Sequence, residues 1–170
     1  NPAGDAMMQR LTDDIADIFA SYRNRHGGRV FPVILTFIFA PVCGAALGAS
    51  ADGRNAGQPV AQGLTPQSMA MTNGITAAML AHTSLPLERI PGGASSMWDM
   101  DPDWIRFETL DALLQAFMRT GGQIFQGNMT SVAELLEAIE HPEGHANLIV
   151  RVGGFSARFC SLNPALQRDI

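Results

Sequence analysis

Ile149-Val150-Arg151-Val152-Gly153-Gly154-Phe155-Ser156-Ala157-Arg158-Phe159 sets two adjacent glycines within a run of strand-forming residues. It reads as strand on both sides of two consecutive glycines, so side chains are absent where two β-rich runs meet. A Gly-Gly pair between such runs signals a hairpin closed by a two-residue turn. So short a glycine motif says little about chemistry by itself. The chain around it has to carry the rest.

Upstream of the hairpin, Ser131-x-x-Glu134 is a capping box that opens a helix through Val132, Leu135, Leu136 and Ile139, stopped by Pro142. Gln123 to Met129 reads as a short strand. Before it, Phe107 to Thr120 is an amphipathic helix with Phe107, Leu110, Leu113, Leu114 and Phe117 expected inward and Gly121-Gly122 at its end. Trp98 to Trp104 reads as irregular, and Gly74 to Leu80 as the beginning of a helix. From Pro41 to Gly74 the chain is punctuated by Gly44, Gly48, Gly53, Gly57 and Gly63, with a turn at Asp52-Gly53. Its varied residues predict an ordered long loop that closes over something. Val30 to Ala40 is continuously apolar and rich in β-branched and aromatic residues, as a strand buried on both faces would be. Asp5 to Tyr22 places Met8, Leu11, Ile15, Ile18, Phe19 and Tyr22 at helical spacing.

A length of 170 residues suits one domain with a real core. Apolar residues make up 46% and charged residues only 16%, which predicts a surface partly covered by other polypeptide. The formal charge is −5, and the eleven basic residues are all scattered arginines, so no basic stripe invites nucleic acid. Cys43 and Cys160 form no CxxC pair, which argues against a disulfide framework or thiolate zinc site and fits a reducing, cytoplasmic setting. The apolar run Val30 to Cys43 is broken by Pro32 and Pro41 and is too short to span a bilayer. The start at Asn1 lacks a signal-peptide pattern and an initiator Met, and the end at Ile170 is abrupt, so a piece of a longer polypeptide is expected.

Five segments, in order, match one family. They are Tyr22-Arg23-Asn24 with Gly27-Gly28-Arg29, then Ala51-Asp52-Gly53-Arg54 with Gly57-Gln58-Pro59-Val60-Ala61-Gln62-Gly63, then Gly121-Gly122-Gln123-Ile124-Phe125-Gln126-Gly127-Asn128. His141-Pro142-Glu143 and the Arg151-Val152-Gly153-Gly154-Phe155 loop follow. Together these resemble the C-terminal part of the glycyl radical enzymes, the group of pyruvate formate-lyase and the glycyl radical diol dehydratases. The resemblance departs at Ala51, where Pro is usual, at Gln62, where Asp is usual, and at Gly127, where a larger residue is usual. Met97-Trp98-Asp99-Met100-Asp101 also differs, in a stretch the family fold brings near the substrate cavity.

The resemblance implies a mixed α/β fold: a C-terminal fragment of a ten-stranded β/α barrel with an inserted radical loop. Residues 1–45 would supply a helix and a late barrel strand, and residues 46–170 the glycyl radical domain. It implies that Gly154 holds an unpaired electron on Cα, within a loop shaped by Arg151, Val152, Gly153, Phe155, Ser156 and Ala157. Such a radical is shared between the amide nitrogen and the carbonyl only where the backbone is nearly planar, which a Cβ would disturb. Val150, Val152, Phe155 and Phe159 are expected to shield it. No bound cofactor is implied. The modification would be installed by a radical S-adenosylmethionine activase carrying an iron–sulfur cluster, and would generate a thiyl on a cysteine outside this chain. Neither Cys43 nor Cys160 matches that cysteine's motif, so these residues alone should be inert toward substrate. The loop lies nearer the dehydratase and C–C/C–O lyase branch than pyruvate formate-lyase. Homo-oligomerisation of the full-length protein is also implied. The rival readings are a stand-alone spare part that docks on an oxygen-damaged radical enzyme, and a non-catalytic scaffold.

Other constellations are weaker. His141-x-x-x-His145 has metal-ligand spacing, but Pro142 and Gly144 oppose a helix, so no metal site is expected. No Gly-x-Ser-x-Gly nucleophile elbow occurs, and without Lys there is no phosphate-binding loop of the usual kind. Asp99, Asp101 and Asp103 lack the glycine and closing Glu of a calcium loop.

Overall fold

A computed structural model of the chain describes residues 2–67 and 70–170. Asn1, which opens the N-terminal reading, and Ser68 and Met69 of the predicted loop lie outside the described residues. Helix α1 spans Pro2–Ser21, as its periodicity predicts. The face it buries is not the predicted one: Thr12 and Ala16 are buried, whereas Met8, Leu11, Ile18, Phe19 and Tyr22 are exposed. Polar contacts tether the helix instead. Asp13 and Asp17 both pair with Arg89, and Gln9 Nε2 donates to the Ser84 carbonyl at 3.0 Å. Helical period is a local property, but which face turns inward depends on what packs there, and here the apolar face is bare.

The strand expected over Val30–Ala40 does not form. Ile34 makes a single parallel bridge to Ala94, after which the chain coils into a 3-10 turn at Phe37–Phe39 and helix α2, Ala40–Ala45. Pro32 lacks the N–H a ladder needs, and Pro41 sits in the first turn of α2, where a missing N–H costs nothing. Phe31, Val33, Ile38 and Phe39 are about half exposed rather than buried. The following loop is ordered around Arg54, which is 7% exposed and donates to the carbonyls of Asn55 and Gln58 at 3.2 and 2.9 Å and to that of Gly48. The turn at Asp52-Gly53 is present, with Gly53 at φ +102°.

The main core surrounds a β-α-β unit. Strand β1, Ser95–Asp99, lies parallel to β2, Ile124–Asn128, with Asp99 opposite Asn128, and helix α4, Phe107–Arg119, crosses between them. Helix α3, Gly74–Thr83, completes the cluster of Ala78, Met79, Trp98, Met100, Leu113 and Phe117. Residues 98–99 are therefore strand, against the irregular reading. Ser95-Ser96-Met97-Trp98-Asp99 has no β-branched run, and its pairing with β2 outweighs local propensity. In α4, Leu113 and Phe117 face inward as expected, but Phe107 is 79% exposed at the first turn. Gly122 is required where it stands: a Cβ there would lie 2.4 Å from the Phe117 ring.

A second, smaller core is built by helix α5, Val132–Glu140, strands β3, Ile149–Val152, and β4, Phe155–Arg158, and helix α6, Pro164–Asp169. Ala138, Val150, Val152, Phe159 and Leu166 fill it. Ser131 caps α5 by accepting the Glu134 N–H at 3.2 Å, and Asn163 caps α6 by accepting that of Leu166 at 2.9 Å. As on α1, apolar residues of α5 (Val132, Leu136 and Ile139) are exposed. The architecture is mixed α/β.

Candidate functional site at the Gly153-Gly154 turn

Strands β3 and β4 pair antiparallel with Val152 opposite Phe155, so Gly153 and Gly154 are the whole of a two-residue turn. Both have positive φ, +54° and +90°, the conformation a primed hairpin turn demands and glycine adopts most cheaply. The hairpin reading and the family resemblance thus fall on the same two residues. A Cβ at Gly154 would meet no heavy atom within 4 Å, so in this chain conformation rather than crowding calls for glycine.

Two expectations are corrected here. Val150, Val152 and Phe159 are buried, but beneath the hairpin in the small core, while Phe155 is 68% exposed; these residues anchor the loop and do not screen Gly154. The backbone at Gly154 is also not in the extended, near-planar form that a shared Cα electron needs. At φ +90° the closed-shell glycine has its N–Cα bond turned well away from it.

Side chains hold this turn in place. Arg151 Nη2 donates to the Gly154 carbonyl at 2.8 Å, and its Nη1 to Ser156 Oγ at 3.0 Å, so one guanidinium spans the turn. The Gly154 N–H donates to Oε1 of Gln126, reaching over from β2. Asn128, two residues on, accepts the Arg151 N–H at 2.7 Å and donates to the Arg151 carbonyl at 3.1 Å. The same Asn128 amide donates to Asp99 Oδ1 at 2.8 Å. Burial pushes the Asp99 carboxyl above its ordinary range, and the bond from Asn128 partly opposes that. Ala157 is half-buried opposite Val150.

Gln126, Asn128 and Asp99 carry contacts that sequence reasoning did not assign to them. The signal was available for two: the Gly121 to Asn128 segment was matched as a motif, and alternation along a strand puts Gln126 and Asn128 on one face. Asp99 also lines a cavity of about 550 Å³ with Arg54, Gln62, Met97, Trp98 and Asp169. There Gln62 Nε2 donates to Asp169 Oδ2 at 2.7 Å, and burial raises the Asp169 carboxyl. Cys43 is exposed on α2, and the Cys160 thiol donates to the His145 carbonyl at 3.3 Å. His141 and His145 lie near Glu143 and Glu137, at 3.9 and 3.8 Å; among the described residues no three ligating side chains cluster for a metal. No described helix is long and apolar enough to cross a membrane.

Residues 60–160 match the profile of the family described as Glycine radical. The chain belongs to the glycyl radical family. This glycyl radical chain is 35% identical over 177 residues to the probable dehydratase YbiW of Escherichia coli (strain K12), covering 98% of this chain and 22% of that protein. It is 30% identical over 148 residues to formate acetyltransferase 1 of the same organism, covering 81% of this chain and 20% of the relative. A Roseburia inulinivorans structure described for 1,2-propanediol dehydration superposes with a TM-score of 0.94 at 29% identity, over 99% of this chain and 22% of its own. The glycyl radical chain therefore has the fold found in these enzymes and spans about a fifth of their length.

Proposed function

We propose that this chain is the radical-storing domain of a dehydratase-like glycyl radical enzyme, with Gly154 as the position that loses a hydrogen atom from Cα. Residues 46–170 form that domain in this reading, and residues 1–45 lead into it. Arg151, Val152, Gly153, Phe155, Ser156 and Ala157 fix the loop. The stored radical takes a hydrogen atom from a cysteine outside these residues, and the thiyl so formed begins C–C, C–O or C–N cleavage. A dehydration is favoured over acyl transfer, because the higher identity and the fuller coverage are to the probable dehydratase.

The observation that carries the reading is the open space at the Gly154 Cα, at the tip of a hairpin whose base is locked in a core. A radical S-adenosylmethionine activase could reach that hydrogen without displacing packed side chains. Rotation about φ on hydrogen loss would bring the two peptide groups toward coplanarity, and Gly153 on the N-terminal side carries no side chain to oppose it. The bare apolar faces of α1 and α5 fit a domain covered by further polypeptide. The reading is tested by exposing the anaerobically activated protein to air and measuring its mass. Backbone scission at Gly154 is expected, and an intact chain after loss of the radical would count against it.

A further inference from the structure

Gln126 is 8% exposed, and of its two amide atoms only the oxygen has a partner: Oε1 accepts from Gly154, while Nε2 is buried without one. A buried amide donor left without a hydrogen bond costs about 1–3 kcal/mol, and few native groups are left so. An apolar side chain of similar length would avoid that cost. What Gln126 supplies that an apolar residue cannot is an acceptor oxygen at the Gly154 N–H. At the other side of the same Cα, the Arg151 guanidinium donates to the Gly154 carbonyl. The glycine is thus flanked by an acceptor on its nitrogen and a cation on its oxygen.

That polarity has a consequence for an electron on the intervening carbon. Sharing it moves charge from nitrogen toward oxygen, leaving the N–H more positive and the carbonyl more negative. A neutral oxygen against the first and a guanidinium against the second both strengthen as that charge develops. We propose that Gln126 is a positioning residue for the radical glycine, acting with Arg151 as a push-pull pair that orients the Gly154 peptide groups and prolongs the life of the unpaired electron. The inference rests on Gly154 being the radical position.

The test uses the full polypeptide bearing this domain, with Gln126→Met, which removes both amide atoms, and Gln126→Glu, which keeps an acceptor oxygen. Before activation, hydrogen exchange at the Gly154 amide should quicken about 3- to 10-fold in Gln126→Met, the span for one net hydrogen bond, and stay near wild type in Gln126→Glu. After anaerobic activation, electron spin resonance should show an altered proton splitting and a radical half-life shortened by about threefold or more in Gln126→Met, with both restored in Gln126→Glu. A wild-type doublet that Gln126→Met leaves unchanged in splitting and lifetime overturns the role of Gln126 alone. A wild-type protein that yields no glycyl doublet overturns the radical assignment, and this inference with it.

Discussion

Asn128 grips Arg151 by both polar atoms of its backbone: its Oδ1 accepts the Arg151 N–H at 2.7 Å, and its Nδ2 donates to the Arg151 carbonyl at 3.1 Å. A side-chain amide thereby stands in for a strand partner, joining β2 to the hairpin where no backbone ladder connects them. Because Nδ2 also donates to Asp99, removing this amide deprives that carboxyl of its partner as well. Asn128→Ala should destabilise the fold by about 2–3 kcal/mol in denaturant titration, with faster hydrogen exchange at Arg151. Asn128→Asp keeps the acceptor but sets a second carboxylate beside Asp99, so its deficit should shrink as pH falls and one carboxyl takes up a proton. A deficit that does not change with pH would argue against that pairing.

Gly154→Ala should leave the fold intact. No atom would meet the added methyl, so the cost is the left-handed backbone alone, about 1–2 kcal/mol. The variant therefore separates chemistry from folding: a melting point a few degrees lower, with complete loss of the radical. Aggregation of this variant would mean that the turn is packed in a way its open surroundings do not suggest.

Gly44 is the opposite case. A Cβ there would fall 2.0 Å from the Gln58 carbonyl oxygen, a backbone atom that cannot swing aside. Gly44→Ala should cost at least about 2 kcal/mol, whereas Gly48→Ala, with nothing within 4 Å, should change stability by less than about 0.5 kcal/mol. Equal melting points for the two would show that the loop around Arg54 is not seated against α2 as described.

His82 is 3% exposed, packs on the Phe117 ring and has no partner for either ring nitrogen. Burial lowers its pKa from 6.5 to about 4. As pH falls below 6.5 the unfolded chain takes up a proton there that the folded chain refuses, so stability present above 6.5 is lost on acidification. The loss levels off near pH 4, where the folded histidine charges too. His82→Leu should remove this slope, gaining on the order of 2 kcal/mol over wild type by pH 4.5 relative to their difference at pH 7.5. Asp99 and Asp169, raised by burial, act with the opposite sign, so the difference between variant and wild type is the quantity to measure.

What was legible in the sequence was whatever local chemistry decides. The Gly-Gly turn, the Ser131 cap and the length of α1 follow from conformational freedom, capping and period, and each is present. What was hidden depends on partners distant in sequence. Met8 and Leu11 have the spacing of core residues yet lie exposed, because the surface of this chain that receives α1 meets its polar side. Val30–Ala40 has strand composition but only one bridge, since Pro32 and Pro41 cap the stretch that could pair. Met97 and Trp98 are strand through register with Gln126 and Gly127, which local propensity does not encode. At the site, the glycines announced themselves, while the amides that hold them were visible only as a motif without a task.

The most direct test is electron spin resonance of the full polypeptide after anaerobic treatment with its activase, in wild type and Gly154→Ala side by side. A doublet from a single α-hydrogen in wild type, lost in Gly154→Ala, is the expected result. A doublet that survives in Gly154→Ala would place the unpaired electron on another residue and contradict the account.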